Sequence, residues 1–414
     1  MRIAIITPFY RPSIGGVEYI VYHTARELTR KGFEVHVVTT THDNRWRKVA
    51  QPGTTIEEGI HVHRLQPSII RVGYATIMKG LKETLRKIKP DIVHCHNLHP
   101  HLFQVMEWKA ELKYKLVAQL HHPIATGIDQ LLARLLYKFA IRELVKNQHK
   151  IDIFITHTNM EKQWLINKGI EKDKVHIIRY PCIPDELLNY RPKTDIHKKL
   201  GARIVITCIS RIHPRKGQHL LIEAAKHIKV KLKNDYVIYI AGPVANRKYL
   251  EKLRKQVEQY NLRKYIVINP NPLMENEKRD IIATSDIFVC TPIKDIHPIV
   301  LIEALALKTP IVTTKVGAIP ELLDLNIIVK ELTKDVQGRL KALLEWILWD
   351  DLKRLEGNAI ILTEPKSIEI AKAIYQVLQN KDKINLETFT KVASTYATSV
   401  VVSKLVKLYE LLIP

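Results

Sequence analysis

The sequence of 414 residues is short of glycine, with only 15. That is roughly half the usual share, so a Gly-Gly pair is more informative here than in most chains. One such pair, Gly15-Gly16, lies between a predicted strand, Arg2–Thr7, and a predicted helix, Tyr19–Arg30, which ends before Gly32. A glycine turn opening a helix is suited to an anion. The Gly-x-Gly-x-x-Gly fingerprint is absent, which argues against a nicotinamide-dependent enzyme.

Cysteines and long apolar runs are also scarce. The four cysteines lie far apart and form no Cys-x-x-Cys pair, which excludes a disulfide framework and indicates reduced, buried thiols. No run of about eighteen apolar residues is present, so no membrane-spanning helix is expected. The N-terminus is interrupted at Pro8 and does not match a signal peptide. These features predict a cytoplasmic globular protein.

Acidic residues are fewer than basic ones, 42 against 65, and the net charge is +23. The excess predicts an anionic partner, which is a nucleotide, a nucleic acid or an acidic membrane surface. Aromatic-rich basic motifs are absent, so nucleic acid is not the expected partner, although a nucleic-acid-binding protein stays the non-enzymatic alternative.

The length predicts more than one domain. Strands and helices alternate from the N-terminus to about residue 179, and prolines then mark a linker near 185–200. A second alternating series begins with the strand Arg203–Ile209. Each series is typical of an α/β domain with a doubly wound parallel sheet.

Two loops of the second series carry charged residues at the carboxyl ends of strands, where such sheets bind ligands. The loop after Arg203–Ile209 contains Arg211 and Lys216, which can bind a diphosphate from two sides. The loop after the strand Asp286–Cys290 contains Asp295 and leads into a helix with Glu303, seven residues further on. Unpaired N–H groups in the first turn of that helix attract phosphate oxygens. The alternative is a solvated basic loop with a capping Asp and an ordinary helical Glu.

Histidines cluster in the first series. His121 ends the predicted strand Leu116–His121, where it either contacts a ligand or is an ordinary loop histidine. His94 and His96 lie on one face of a predicted strand and Cys95 on the other. That alternation is poor geometry for zinc, so no metal site is predicted.

Two predicted basic helices, Ile77–Ile88 and Asp129–Lys146, repeat lysine or arginine every three or four residues. Apolar residues fill much of the rest of the second helix. Such helices either lie on an anionic membrane or present a solvated face.

The pair Asp295 and Glu303, followed by Ala-Leu-Ala-Leu-Lys-Thr-Pro-Ile-Val-Thr-Thr and by Gly317-Ala-Ile-Pro-Glu321, resembles the signature of the retaining glycosyltransferases of family 4. Arg211 and Lys216-Gly217 resemble the family's donor-phosphate motif. The chain has Asp295 where the family usually has Glu, and Pro298 where it usually has Gly. The resemblance implies the GT-B fold, which is two Rossmann-like, doubly wound α/β domains with a cleft between them. It implies an acceptor-binding domain of residues 1–190, joined by the helices of 386–414, and a donor-binding domain of residues 195–385.

The resemblance also implies roles for single residues. The donor diphosphate is expected to contact two side chains and the backbone of three residues: Arg211, Lys216, Gly16, Ile299 and Val300. Glu303 is expected to hold the ribose, while Asp295 and His121 contact the transferred sugar. No metal or other cofactor is implied.

The function implied is transfer of a hexose or N-acetylhexosamine, with retained configuration, from a nucleoside diphosphate sugar to an acceptor. The basic helices favour a lipid-linked acceptor or a membrane glycan, and a peripheral location on the inner face of the plasma membrane. A soluble sugar phosphate or polysaccharide is the rival acceptor. A nucleotide-sugar 2-epimerase of the same architecture is the rival enzyme.

Overall fold

The computed structural model of the chain describes residues 1–13, 15–43, 46–72, 75–121, 131–232, 235–323, 360–381 and 387–413. The chain divides into two compact units, Met1–Pro184 with Tyr396–Pro414, and Asp185–Thr395. Each unit is built on a largely parallel sheet with helices between its strands. The predicted α/β class with two doubly wound domains is confirmed.

The first unit contains ten described strands: β1 Arg2–Ile6, β2 Glu34–Thr40, β3 Gly53–Glu57, β4 Ile60–Leu65, β5 Pro67–Val72, β6 Ala75–Met78, β7 Ile92–His96, β8 Lys115–Gln119, β9 Ile153–Thr156 and β10 Val175–Ile177. Eight of them form one sheet in the order β10-β9-β8-β7-β1-β2-β4-β3. Only β3 runs antiparallel to its neighbour, β4. β5 and β6 form a separate antiparallel hairpin. β3 and the hairpin were not predicted from the sequence.

The central strand β1 is apolar on both faces because each face of the sheet packs against a separate core. Ile3 and Ile5 belong to one hydrophobic cluster, and Ala4 and Ile6 to the other. A strand buried on both faces has a continuous apolar sequence rather than an alternating one. This explains why the run at Arg2–Ile6 was readable as a strand.

The described helices of this unit are α1 Gly16–Arg30, α2 Leu81–Ile88, α3 Pro100–Leu112, α4 Leu131–Lys146 and α5 Asn159–Asn167. The predicted helix Ile77–Ile88 was wrong at its start, since Ile77 lies in β6. α2 begins after Gly80, whose φ of 80° is a left-handed conformation that favours glycine. Residues 129 and 130 of the other predicted basic helix lie outside the described residues.

The second unit contains six described strands: β11 Ile204–Ile209, β12 Tyr236–Ala241, β13 Ile266–Asn269, β14 Ile287–Cys290, β15 Ile311–Thr314 and β16 Ile360–Thr363. They form one parallel sheet in the order β13-β12-β11-β14-β15-β16. Its described helices are α6 Ile196–Leu200, α7 Gln218–Leu232, α8 Arg247–Gln259, α9 Glu275–Ala283, α10 Ile299–Ala306, α11 Ile319–Leu322, α12 Ser367–Gln379 and α13 Glu387–Ser394. The strand order reverses between β11 and β14, so the loops after these two strands meet at the switch point.

The last helix, α14 Thr398–Leu412, belongs to the first unit and packs against α1. Its apolar stripe, which includes Val401, Leu405 and Tyr409, joins the cluster that covers one face of the first sheet. Of the two terminal helices that the sequence placed on the first domain, α13 instead lies in the second unit. The same division assigns 185–190 to the second unit. Residues 335–359, which the sequence predicted to be mainly helical, lie outside the described residues.

Candidate active site

The loops after β11 and β14 pack directly against each other at the carboxyl end of the second sheet. The hydroxyl of Thr291 donates to the carbonyl of Gly217 at 3.0 Å, and the N–H of Ile293 donates to the carbonyl of Arg215 at 2.9 Å. Gly217 has a φ of +67°, and a Cβ atom there would lie 1.9 Å from the carbonyl oxygen of Thr291. Only glycine permits this approach, so the Lys-Gly of the motif is required by the packing of the two loops.

This packing joins Lys216 to Asp295. The Lys216 ammonium and the Asp295 carboxylate form an ion pair, with their side chains 19% and 15% exposed. The other Asp295 oxygen, Oδ1, accepts from the N–H of Ile296 at 2.9 Å. The sequence predicted Lys216 to bind phosphate and Asp295 to contact the sugar. The structure brings the two together but pairs them with each other.

A glycine on a third loop packs against the backbone of Asp295. Gly317, after β15, has a φ of +57°, and a Cβ atom there would lie 2.0 Å from the carbonyl oxygen of Asp295. The backbone of Asp295 is thus in contact with a position that only glycine can occupy without displacing a loop.

Arg211 is exposed on the same loop as Lys216. Its carbonyl accepts from Nε2 of the buried Gln218 at 2.9 Å, which ties the loop to the start of α7. Its guanidinium forms no hydrogen bond or ion pair with any residue that the structure describes. The predicted two-sided clamp therefore consists of an unpaired arginine and a lysine engaged with a carboxylate.

The N-terminus of α10 follows Asp295 closely in sequence. Pro298 is its N-cap, and Ile299 and Val300 form the first turn. Within the described part of the chain, the backbone N–H groups of Ile299 and Val300 donate to no oxygen atom, as is usual for a first turn. They are free to bind an anion.

Glu303, on α10, is 3% exposed and forms an ion pair with Lys278 on α9. Lys278 Nζ lies 2.7 Å from Glu303 Oε1 and 3.1 Å from a carboxylate oxygen of Glu275. Burial lowers the pKa of Lys278, but the two carboxylates outweigh burial and raise the pKa above its ordinary value. The lysine is therefore charged at neutral pH. It was not singled out from the sequence, where α9 was not recognised.

In the first unit, Gly16 is the first residue of α1, as expected for an anion-binding turn. The helix terminus already holds a carboxylate, because a Cβ atom at Gly15 would lie 2.2 Å from Oε2 of Glu18. Ser13 Oγ donates to Glu18 Oε1 at 3.3 Å. A negative charge at the positive end of a helix is stabilising, and here it lies beside the predicted diphosphate contact.

His121 lies in a buried network of aromatic side chains at the carboxyl end of the first sheet. Its Nε2 is 2.8 Å from Nδ1 of His96, and its Nδ1 is 3.2 Å from the hydroxyl of Tyr180. His157 stacks on both His121 and Tyr180. Both ring nitrogens of His121 thus have hydrogen-bonding partners within the unit.

The proton positions in this network follow from the nitrogen that has no partner. His96 is fully buried, and its Nε2 makes no hydrogen bond with a described residue. A buried N–H without an acceptor is rarer and costlier than a buried lone pair. His96 therefore carries its proton on Nδ1 and donates to His121. His121 in turn carries its proton on Nδ1 and donates to the oxygen of Tyr180.

Burial keeps the neighbouring histidines neutral. It lowers the pKa of His94 to about 3 and that of His101 to about 4, and it lowers the pKa of His96 well below the ordinary value. His94 Nδ1 lies 2.6 Å from the hydroxyl of Tyr409 on α14. The His-x-His pattern on β7 was the sequence signal for this network. Tyr180 and Tyr409 had none.

No group of three or more His, Cys, Asp or Glu side chains in the described ranges is arranged to hold a metal ion. Metal independence remains a prediction. Among the helices that the structure describes, none combines the length and the apolar character needed to cross a bilayer.

Two family models match the chain. "Glycosyltransferase Family 4" matches residues 14–184, and "Glycosyl transferases group 1" matches residues 192–388. Together they cover most of both units.

Similar proteins come from several organisms. One subunit of the phosphatidylinositol N-acetylglucosaminyltransferase of Arabidopsis thaliana is 24% identical over 80% of this chain and 70% of its own length. The GPI3 subunit of the enzyme of the same name from Saccharomyces cerevisiae is 23% identical over 95% of this chain and 84% of its own length. The crystal structure of Anabaena HepE with UDP and glucose is 16% identical, covers 99% of both chains and has a TM-score of 0.69. That likeness confirms the GT-B fold.

Proposed function

Because the chain belongs to the family 4, group 1 glycosyltransferases, we propose that it transfers a sugar, with retained configuration and without a metal ion, from a nucleoside diphosphate sugar to a lipid-linked acceptor. The observation that carries the proposal is the meeting of Lys216, Asp295 and the first turn of α10 at the switch point of the second sheet. Ligands of doubly wound sheets bind at this position.

The leaving diphosphate is bound by Arg211, Lys216 and the N–H groups of Ile299 and Val300. Charge that develops on its oxygens is stabilised by donors placed before the reaction begins. For Lys216 this requires an exchange, since its ammonium leaves Asp295 for the phosphate. Asp295, once released, is available to the sugar and to the positive charge that grows on its ring.

In the proposed reaction, the acceptor hydroxyl attacks from the same face as the leaving group. The bond from the anomeric carbon to the diphosphate oxygen breaks, and the bond to the acceptor oxygen forms. A diphosphate oxygen takes the acceptor proton, so no protein base is needed. His121 orients a sugar hydroxyl by giving its Nδ1 hydrogen bond to that hydroxyl in place of Tyr180.

The donor and acceptor classes are supported by relatives. Two of them are named as phosphatidylinositol N-acetylglucosaminyltransferase subunits, and HepE was crystallised with UDP and glucose. We therefore propose a donor carrying a hexose or N-acetylhexosamine, with UDP-N-acetylglucosamine and UDP-glucose tested first. A phosphoinositol lipid is the first acceptor to test.

The lipid acceptor is supported by the surface of α4. Leu135 and Phe139 are 54% and 62% exposed, and Leu136 is also exposed. Lys138, Arg142 and Lys146 lie exposed on the same helix and form no ion pair with a described residue. Exposed apolar side chains beside unpaired cations are typical of a helix on an anionic membrane. We propose that α4 places the enzyme on the inner face of the plasma membrane.

The other basic helix is a poorer candidate. On α2, Lys82 and Arg86 each lie 2.6 Å from a carboxylate oxygen of Glu111 on α3. Glu111 offsets one of these two positive charges, which leaves less attraction for lipid. Lys82→Ala/Arg86→Ala is thus a matched control for Lys138→Ala/Arg142→Ala in flotation with phosphatidylglycerol vesicles. We expect only the α4 variant to lose binding, and equal binding by both would overturn the assignment.

The donor is tested by thermal shift with UDP, GDP, ADP and their sugars, because a bound ligand raises the melting temperature by mass action. Transfer is then measured with the best donor, with and without EDTA, and the product anomer is read by NMR. Arg211→Ala/Lys216→Ala should abolish transfer without unfolding the protein. Arg254→Ala, which removes an exposed cation on α8, is the control. An epimerised donor in the absence of acceptor would contradict the proposal.

A further inference from the structure

Lys278 is a charged residue of the second unit to which no role has been assigned. It lies on α9 and its side chain is 16% exposed, while that of its partner Glu303 is 3% exposed. α9 precedes β14 and α10 follows it, and the two helices pack against each other. The ion pair therefore links the two helices on either side of the strand that leads to Asp295.

A carboxylate as buried as Glu303 needs a partner, because an uncompensated buried charge is strongly destabilising. Lys278 supplies the charge at 2.7 Å from Oε1. The second oxygen, Oε2, accepts no hydrogen bond from any residue within the described ranges. An ionised carboxylate can accept hydrogen bonds on both oxygens. Oε1 of Glu303 is therefore occupied by Lys278, and Oε2 is available to a ligand.

Lys278 has a second carboxylate partner besides Glu303. Glu275 lies within 3.1 Å of the same ammonium and is 52% exposed. Glu275 is by itself a helix-surface partner for this lysine. The ion pair between Lys278 and Glu303 provides the partner of Glu303, which has no other among the described residues.

We propose that Lys278 is a positioning residue for ribose recognition: it holds Oε1 of Glu303 and keeps Oε2 for the hydroxyl groups of the donor ribose. The inference rests on the proposed function, in which Glu303 binds the ribose. A carboxylate fixed by a second residue loses less rotamer freedom when the ligand binds. Lys278 acts through Glu303 and does not touch the donor.

The test measures how well the protein distinguishes a ribose from a deoxyribose. Affinities for UDP, GDP and ADP, and for their 2′-deoxy counterparts, are measured by titration calorimetry on the full chain. For the nucleotide that binds best, we expect wild type to prefer the ribose form by about tenfold, the value of one charge-assisted hydrogen bond. Lys278→Met should reduce this preference to about twofold or less, because Oε2 is no longer held in place.

Three further variants separate positioning from folding. Glu275→Gln removes only the more exposed partner and should keep the wild-type preference. Lys278→Arg retains the cation and should recover most of it. Lys278→Gln keeps a hydrogen-bond donor for Oε1 but removes the charge, and we expect an intermediate preference for the ribose form. This variant replaces Lys278→Met in the test if Lys278→Met does not fold.

The outcomes distinguish the two proposals. If wild type binds none of the nucleotides, the proposed function fails and the inference fails with it. If wild type prefers the ribose form but Lys278→Met and Lys278→Gln retain the full preference, Lys278 is only structural and the proposed function stands. If wild type binds ribose and 2′-deoxyribose forms equally, Glu303 does not bind the 2′-hydroxyl of the ribose, and the inference is overturned.

Discussion

Replacing Asp295 by asparagine should strengthen nucleotide binding while it abolishes turnover. In the structure the Asp295 carboxylate holds the Lys216 ammonium, so a diphosphate must compete with it for the same cation. The Asp295→Asn change would keep nearly the same side-chain shape but remove the competing charge. A variant that binds product more tightly and turns over less separates the two roles of this loop.

The magnitude follows from the exposure of the pair. Two unit charges in contact interact by roughly 1 to 4 kcal/mol at effective dielectric constants of 80 to 20. The side chains are 15% and 19% exposed, so solvent screens part of this energy, and we take about 1 kcal/mol at the low end of that range. This corresponds to roughly fivefold tighter binding of UDP, or of the nucleoside diphosphate that gives the largest thermal shift.

Titration calorimetry at about 0.05 and 0.5 M salt is the assay, because the gain should shrink as salt screens the charges. Lys216→Met should weaken binding, and in the Lys216→Met background Asp295→Asn should give little further gain. The reasoning is refuted if Asp295→Asn binds the nucleotide more weakly than wild type. That result would mean that Asp295 is needed to aim Lys216 at the phosphate.

Three further predictions concern stability. Burial lowers the folded-state pKa of three histidines, His94, His96 and His101, far below the unfolded value of 6.5. Their contribution to the free energy of unfolding is therefore complete above pH 6.5 and is lost as pH falls towards 3–4. Each should cost about 1.4 kcal/mol at pH 5.5, or about 4 kcal/mol together. Urea unfolding followed by tryptophan fluorescence should show the midpoint falling between pH 7.5 and 5.5, and a flat profile would contradict burial of the three histidines. Gly317→Ala should destabilise the second unit by about 2 kcal/mol, measured by melting temperature, and should weaken nucleotide binding, measured by calorimetry. Gly201 also has a positive φ but has open space around it, so the control Gly201→Ala should be destabilised only by backbone strain. Tyr409→Phe should cost about 1 kcal/mol through loss of its 2.6 Å hydrogen bond to His94, and an unchanged urea midpoint would show that this contact contributes nothing.

The buried strands were the most predictable part of the fold. β1, β11 and β14 are short, mostly apolar runs bounded by polar loops, because a strand that is buried on both faces needs apolar side chains on both. Elements at the periphery were missed. β3 is largely exposed, so its sequence carries no burial signal. Ile77 was taken into a helix because its β-hairpin partner lies earlier in the chain, which periodicity does not show.

The charged residues of the candidate site were predictable in type and approximate place. A sequence motif places Arg211, Lys216, Asp295 and Glu303 on loops and a helix at the carboxyl ends of strands. It does not say which charges neutralise each other. The pairing of Lys216 with Asp295 joins residues 79 positions apart, and that of Lys278 with Glu303 joins residues 25 apart.

What the sequence determined by itself was the local chemistry: apolar runs that must be buried, glycines at turns, and charges next to strand ends. These follow from short-range preferences and from burial, which every segment carries in its own composition. Only the tertiary structure decided the partners, because the order of strands in each sheet sets which loops become neighbours. That order brings Gly217 against Thr291 and Gly317 against Asp295. The packing of α14 on the first unit places the hydroxyl of Tyr409 on His94, 315 residues away.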